Sequence, residues 1–372
     1  MRLRIGVVGA GRRGRAHVAT IVELPEFFEL AGICDVNATS ARALAQRLGC
    51  DAYSDVDELL SRKSLDAVVI ATPPQSHHLV AKAAADYRVH MLIETPLAPT
   101  RAMMDFIAEA AAKAGVQVEV GENYGRRPAE RLNRMTLEAG LIGEVVHLSA
   151  YNAPANHESC YHIMSLFQLY AGADVEEISA SATRCEGAAE ETWVNALLSF
   201  ANGVTASCEY VTTWTKPHRW GRPRVTAVEG THGYIVGEDG GVSRLHQVEN
   251  GTAADYPMKI VARREGERDI PERFFYETQP PVEFQNPFAD RVMTDVEKDG
   301  IADGLARAAE LTGLYRAVTE SVEPEFGITR ARRSQELGIA VIEAARLGRP
   351  LKAKLGEETP WERKQHKLLR WP

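Results

Sequence analysis

Long apolar runs are missing from this 372-residue chain. No stretch approaches the ~20 consecutive residues that a membrane span needs. Paired cysteine spacing is missing too. The five cysteines, Cys34, Cys50, Cys160, Cys185 and Cys208, are scattered without a C-x-x-C, which argues against a thiolate zinc site or a disulfide framework and reads as reduced thiols. There is no excess of positive charge. The formal net charge is -8, so neither a nucleic acid nor an anionic membrane surface is expected as partner. No internal repeat and no low-complexity run is found. The first strand begins at residue 2 and leaves no room for a signal peptide, which sets the expectation of a cytoplasmic protein. What is present is ordinary for a soluble globular protein: 45% apolar and 25% charged residues, in a length that suggests two domains with ample core.

The most informative segment is the first. Leu3–Val8 reads as a strand and runs into Gly9-Ala10-Gly11-Arg12-Arg13-Gly14, with a helical stretch expected over 15–24. A second strand, 28–34, ends at Asp35, 21 residues past Gly14. This is G-x-G-x-x-G in the strand–turn–helix setting that binds a dinucleotide. Gly9 allows the tight turn, Gly11 lets the backbone approach a pyrophosphate, and Gly14 lets the helix lie close on the strand. The free N–H groups of the helix point at the phosphates, and Asp35 accepts hydrogen bonds from the adenosine ribose. Arg12 and Arg13 on this turn read equally as pyrophosphate neighbours or as solvated charges.

Up to residue 122, short β-rich runs at 3–8, 28–34, 66–71, 89–93 and 117–121 alternate with helical stretches near 39–48, 76–87 and 100–114. Nearly continuous apolar runs fit a parallel sheet covered on both faces. The expected fold of residues 1–122 is therefore a doubly wound α/β (Rossmann) domain. Ligands in such sheets sit at the carboxyl ends of the strands, which brings Thr72, Pro73 and His77, then Glu94 and Thr95, then Asn123 and Tyr124 to the cofactor's border. The His77-His78 pair reads otherwise as surface residues at a helix start, and no further metal ligands accompany it.

From residue 123 the pattern changes. A helix is expected over 126–139 and a strand over 144–151, and residues 175–263 are rich in β-branched residues with hairpin signals at Asn202-Gly203 and Asn250-Gly251. The expected second domain, 123–372, is α+β with a large open, mostly antiparallel sheet. The charged, proline-punctuated 264–281 reads as a loop, helices are expected over 284–299, 301–318 and 330–347, and the tail 352–372 as mobile or docked on a neighbouring subunit. Between strand and sheet lie Asn156, His157, Glu158 and His162. His157 and His162 are five apart and point ~140° apart on a helix, so they could not grip one metal ion. Glu158 and His162 are four apart and share a face, which suits either a surface pair or a carboxylate-oriented general base.

Taken in order, these motifs resemble the glucose–fructose oxidoreductase/inositol dehydrogenase (Gfo/Idh/MocA) family. The resemblance rests on Gly9 to Gly14, Thr72-Pro73, Glu94-Thr95-Pro96, Gly121-Glu122-Asn123, Ile142-Gly143-Glu144-Val145, and Glu158 to His162 with Gly172 closing the helix. Two positions depart from the family pattern: Thr95 stands where the family has a catalytic lysine, and Glu158 where it has aspartate. The resemblance implies a nicotinamide-dependent oxidoreductase acting on a secondary alcohol of a sugar or cyclitol. His162 would be the general base, Glu158 would orient it, and Thr95 would hold the reacting oxygen. Tyr124, Asn152, Asn156 and His157 would contact substrate, with Trp214, Lys216 and His218 as weaker candidates. Asp35 would repel a 2′-phosphate and favour NAD over NADP. Two other readings remain: NAD-assisted glycoside cleavage by oxidation, elimination and reduction, and a non-catalytic NAD-binding sensor or partner subunit. The exposed sheet implies a homodimer or homotetramer.

Overall fold

The computed structural model describes residues 1–61, 65–154, 160–183, 193–211, 225–238, 241–249, 251–291, 293 and 300–371. Its contacts divide the chain into two units that are not continuous in sequence. The first comprises Met1–Arg126, Arg291–Arg332 and Pro360–Pro372; the second comprises Arg127–Asp290 and Arg333–Thr359. A single boundary at 122/123 therefore misses the later segments that return to the first unit.

The first unit begins with β1 (Leu3–Val8), α1 (Arg12–Val22), β2 (Phe28–Cys34), α2 (Ala38–Leu48), β3 (Asp51–Tyr53), α3 (Val56–Leu60), β4 (Ala67–Ile70), α4 (Pro74–Asp86), β5 (His90–Glu94), α5 (Arg101–Ala114) and β6 (Val118–Gly121). The six strands form one parallel sheet in the order β3-β2-β1-β4-β5-β6. Leu3, Ile5 and Val7 of β1 and all four residues of β4 are buried, because helices cover both faces. β3 and α3 were absent from the sequence expectation. Three residues carry no period, and α3 is set by Asp55, whose side chain accepts from the Asp57 and Glu58 amides.

The second unit holds α6 (Pro128–Glu138), β7 (Val145–Pro154), α7 (Cys160–Ala171), β8 (Val175–Thr183), β9 (Trp193–Phe200), β10 (Thr205–Val211), β11 (Val225–Gly230), β12 (Gly233–Glu238), β13 (Val242–Glu249) and β14 (Thr252–Pro257). With a short strand near the C-terminus these make a nine-stranded sheet in which only β7 and β10 pair in parallel. Along β9, Val194, Ala196, Leu198 and Phe200 are buried while Asn195, Leu197 and Ser199 are exposed. That alternation marks one covered and one open face. Tyr151, Leu197, Tyr234 and Val248 lie exposed on the open side.

The expected loop at 264–281 is instead a sheet of β15 (Lys259–Glu265), β16 (Arg268–Tyr276) and β17 (Val282–Gln285). Its hairpin turns at Gly266, with φ of +63°, and its charges pair across strands, as Arg264 does with Asp269. Charged residues and Pro271 interrupt the alternation that marks a strand. The expected helix 284–299 is also corrected, since β17 occupies its start and 287–290 form a turn; residues 292 and 294–299 lie outside the described set. The chain returns to the first unit as α8 (Ile301–Thr319). α9 (Ile328–Leu347) starts there and passes into the second unit at Arg333, where β18 (Leu351–Lys352) completes the nine-stranded sheet. α10 (Pro360–Leu369) ends in the first unit, so the tail docks on its own chain. Among the described residues no helix is long and apolar enough to cross a membrane.

Candidate functional site

Steric facts require the glycine turn to be glycine. Gly9 has φ of +108°, and a Cβ there would meet the Ala71 carbonyl oxygen at 2.5 Å. A Cβ on Gly14 would lie 1.7 Å from the Gly9 oxygen, so α1 sits on the turn with no room to spare. Gly11 is different. Its backbone is one that any residue adopts, and nothing lies within 4 Å of where its Cβ would be. The space belongs to whatever approaches from outside. Gly11 caps α1 without a side-chain hydrogen bond, and the first turn holds no acid, which leaves a helix end suited to an anion. Asp35 lies beside it. Its Oδ2 accepts from the Ala10 amide at 2.6 Å and its Oδ1 from the Asn37 amide at 2.8 Å. Cradle, helix end and fixed carboxylate fit the phosphates and ribose of a dinucleotide.

The neighbouring strand ends are tied to each other. His77, expected at the surface, is fully buried, and His78 is 6% exposed, because α4 turns this side inward. His77 Nε2 lies 2.8 Å from the Thr72 carbonyl, and Nδ1 lies 3.1 and 3.2 Å from those of Pro96 and Leu97. Burial pushes its pKa down, while these carbonyls and Glu94 work in the other direction. The ring links the loop after β4, which carries Thr72 and Pro73, to the loop after β5. In that second loop the Thr95–Pro96 peptide is cis. The Thr95 amide donates to Glu94 Oε2 at 3.2 Å, and its hydroxyl donates to the Gly121 carbonyl at 3.5 Å. Past β6, Asn123 donates to Asp303 Oδ1 at 3.0 Å and Tyr124 is buried, its amide donating to Glu122.

Beneath the turn lies a buried charge cluster that sequence reasoning missed. Glu94 Oε1 accepts from Arg13 Nε and Nη2 at 3.0 and 2.8 Å and meets His17 Nε2 at 2.5 Å. Arg13 is thus committed to Glu94, which the even choice between phosphate neighbour and solvated charge did not include. Burial alone would raise the Glu94 pKa, but Arg13 and His17 hold it far below the carboxylate range. Burial pushes His17 down. Glu310 of α8 is fully buried and its pKa is pushed up to about 8 by burial and the Glu94 charge, against Arg126, Arg13 and Arg307. Ligand-type atoms of His17, Glu94 and Glu310 lie within 4.8 Å of one another. A divalent ion would nevertheless add charge where Arg13 and Arg307 already offset both carboxylates, and would compete with Arg13 for Glu94 Oε1. A proton on Glu310 relieves the burial of a second carboxylate beside Glu94 at lower cost. The three residues come from α1, β5 and α8, so no local spacing could announce them. The one signal was a histidine beside Ala16 and Val18 in the buried stripe of α1.

In the second unit His162 stands in the first turn of α7. Its Nε2 lies 2.7 Å from the Tyr161 hydroxyl, with ring centroids 4.1 Å apart. Tyr161 is a partner that the sequence reading did not name. Asn152 is buried on β7 with φ of +57°, where the β10 register slips between Cys208 and Tyr210. Such a backbone is uncommon outside glycine, though asparagine tolerates it best. Asn156, His157, Glu158, Trp214, Lys216 and His218 lie outside the described residues.

Comparison with known proteins places this geometry. Residues 3–122 match the GFO_IDH_MocA family, an oxidoreductase family with an NAD-binding Rossmann fold. Inositol 2-dehydrogenase 1 of Saccharopolyspora erythraea is 33% identical over 164 residues, 42% of this chain and 48% of that protein. The chain thus spans about half the length of the curated relatives it matches. Among solved structures, levoglucosan dehydrogenase in complex with NADH and levoglucosan is similar with a TM-score of 0.74 at 19% identity, covering 95% of this chain and all of that one. An oxidoreductase domain protein from Kribbella flavida gives 0.76 at 23% identity, with the same coverage. At these identities the structures speak for the fold alone. Residues 3–122 are thus similar to the NAD-binding Rossmann part of this oxidoreductase family.

Proposed function

We propose that this chain is a member of that oxidoreductase family and an NAD-dependent dehydrogenase that oxidises or reduces a secondary alcohol of a sugar, cyclitol or derivative. The observation that carries the reading is the open position at Gly11 above an uncapped α1, with Asp35 fixed 2.6 Å from the Ala10 amide. Relatives named as dehydrogenases of inositol and levoglucosan support the substrate class. The nicotinamide, when bound, accepts or returns the hydride. The chain's own residues supply the rest. Gly9, Gly11, Gly14 and Arg12 border the pyrophosphate. Asp35 accepts from the ribose hydroxyls and disfavours a 2′-phosphate. Thr72, Pro73, His77 and Asn123 shape the other strand ends.

His162 takes the hydroxyl proton on its imidazole, which the Tyr161 hydroxyl holds at Nε2. Glu158, four residues before His162 in sequence, orients it. Thr95 turns its hydroxyl from the long 3.5 Å contact with the Gly121 carbonyl to donate a neutral hydrogen bond to the reacting oxygen, with its backbone held by Glu94. Tyr124, Asn152, Asn156 and His157 contact the substrate, and the open face of the nine-stranded sheet joins copies of the chain into a dimer or tetramer.

The test is incubation of the pure protein with NAD and a panel of sugars, inositols and glycosides, following both reduced cofactor and product. Accumulating NADH supports the dehydrogenase. Glycoside cleavage without net NADH moves the assignment to oxidation, elimination and reduction, and NAD binding without turnover to a sensor. In the active pair, His162→Ala lowers turnover by ~10²–10⁴ while NAD binding stays intact. Unchanged turnover removes His162 from the mechanism.

A further inference from the structure

The C-terminal segment reaches the two helices whose leading loops border the candidate site. Glu362, in the first turn of α10, is 1% exposed. Its Oε1 accepts from the Arg101 amide and Nε at 3.1 and 3.0 Å, and its Oε2 from Arg101 Nη2 at 2.8 Å. Arg101 is the first residue of α5, and Thr100 is the N-cap. One turn further along α10, His366 Nε2 lies 2.7 Å from Thr100 Oγ1. Beyond the helix, the Trp371 ring meets His78 of α4 edge-on at 5.1 Å and Phe106 of α5 at 5.4 Å, and stacks on His366 at 5.9 Å.

These contacts are placed rather than merely apolar. A hydrophobic face would suffice to cover a helix. Three charge-assisted bonds to the side chain and amide of one residue instead fix where α5 begins, and so where the loop from Thr95 to Thr100 must end. A carboxylate at that helix start also suits its dipole. Trp371 fixes His78 on the other side, next to the His77 that binds the Thr72, Pro96 and Leu97 carbonyls. The segment therefore touches both helices that these loops lead into, at the start of α5 and in the second turn of α4.

Which half of a dinucleotide these loops serve follows from the sheet. Asp35 ends β2, on one side of β1; Thr72 and Thr95 follow β4 and β5, on the other. A dinucleotide laid across the strand ends puts its adenosine toward β2 and its nicotinamide toward β4 and β5. We propose that residues 360–371 act as a clasp that positions the Thr95–Thr100 loop for the nicotinamide half of the cofactor, with Glu362 as the principal positioning residue. The proposal rests on the dinucleotide reading above.

The experiment compares NAD with ADP-ribose, which keeps the adenosine, both phosphates and the second ribose but lacks the nicotinamide. Both are titrated calorimetrically into the full chain and into Glu362→Ala, and amide hydrogen exchange is followed in parallel. Glu362→Ala should weaken NAD roughly tenfold and leave ADP-ribose within about twofold, as expected for losing charge-assisted bonds at one end of the site. Exchange should quicken over residues 95–104 and not over β2. Glu362→Asp should recover part of the NAD affinity. Trp371→Ala keeps the Arg101 pair, and serves if Glu362→Ala does not fold; the same selectivity at smaller size is expected. Equal weakening of both ligands, or of neither, overturns the clasp. If the unmutated chain binds neither ligand, the dinucleotide reading falls instead, and unchanged exchange over 95–104 in the variants would then overturn the clasp on its own.

Discussion

Glu310 makes a prediction about stability whose sign and window are both fixed. It is fully buried on α8, faces Glu94 and His17, and has Arg13, Arg126 and Arg307 as its nearby cations. Its pKa lies at about 8 in the folded chain against 4.5 for an ordinary glutamate. Between those values the folded state keeps a proton that the unfolded state has lost. Stability from this group is thus fully present below 4.5 and is lost as pH rises towards 8, by up to about 1.4 kcal/mol per pH unit. Across the window the loss is on the order of 5 kcal/mol. Other buried groups act in the opposite direction. His17, His77 and His78 are pushed down by burial and destabilise the fold as pH falls, and Glu94, held low, does so at lower pH still.

The pH profile of the unmutated protein is therefore composite, and the difference from Glu310→Gln isolates one group. Glutamine copies the shape of the protonated acid and does not titrate. Near pH 5 the variant should match the parent. At pH 9 it should be the more stable by several kcal/mol. Denaturant titrations at pH 5, 6, 7, 8 and 9 measure this, with hydrogen exchange of the β5 and β6 amides reporting on the first unit alone. A stability difference that is the same at pH 5 and pH 9 would refute the reasoning, because it would mean that Glu310 is ionised in both states throughout.

Two substitutions in the turn should separate folding from binding. Gly14→Ala drives a Cβ into the Gly9 oxygen and should cost several kcal/mol by thermal unfolding. Gly11→Ala meets nothing in the protein and should change stability by less than about 1 kcal/mol, while NAD affinity measured by calorimetry falls at least about tenfold. Asp35→Ala should weaken NAD and bring NADP to similar affinity in competition titrations; equal affinities in the unmutated chain would contradict the role given to Asp35.

The legible parts of this chain are those where a physical constraint is local. Gly9 and Gly14 are required within one turn by contacts a side chain could not share, and β1 and β4 show as apolar runs because helices cover both faces of their sheet. β3 is too short for any period. β16 hides because charged residues and Pro271 interrupt its alternation, so composition suggests a loop where pairing with β15 makes a sheet. The tail read as mobile or docked on a neighbouring subunit, and nothing pointed to its own chain, since Glu362 and His366 are ordinary helix-surface residues until Arg101 and Thr100, more than 260 positions earlier, are placed against them. His77 looked exposed for the same reason: its partners are backbone carbonyls of a loop whose course no side-chain pattern reveals.

Thr95 shows how a departure in sequence gains meaning from its surroundings. A lysine there would bring a cation to the position proposed above to hold the reacting oxygen, with the adjacent Glu94 as its nearest carboxylate. In this chain Glu94 is already satisfied. Its Oε1 is shared by Arg13 and His17, and its Oε2 receives the Thr95 amide. The positive charge therefore stands one layer inward, on Arg13 of α1, under the glycine turn. With Glu310 holding a proton at neutral pH, the single Glu94 carboxylate is already offset by the two guanidiniums of Arg13 and Arg307, and the cluster has no negative charge left to hold a further cation at position 95. A neutral hydrogen-bonding residue is what such a site accepts without leaving a charge unpaired. Whatever oxygen Thr95 meets, it meets with a hydroxyl whose backbone is fixed from below by the same cluster that sets the charge.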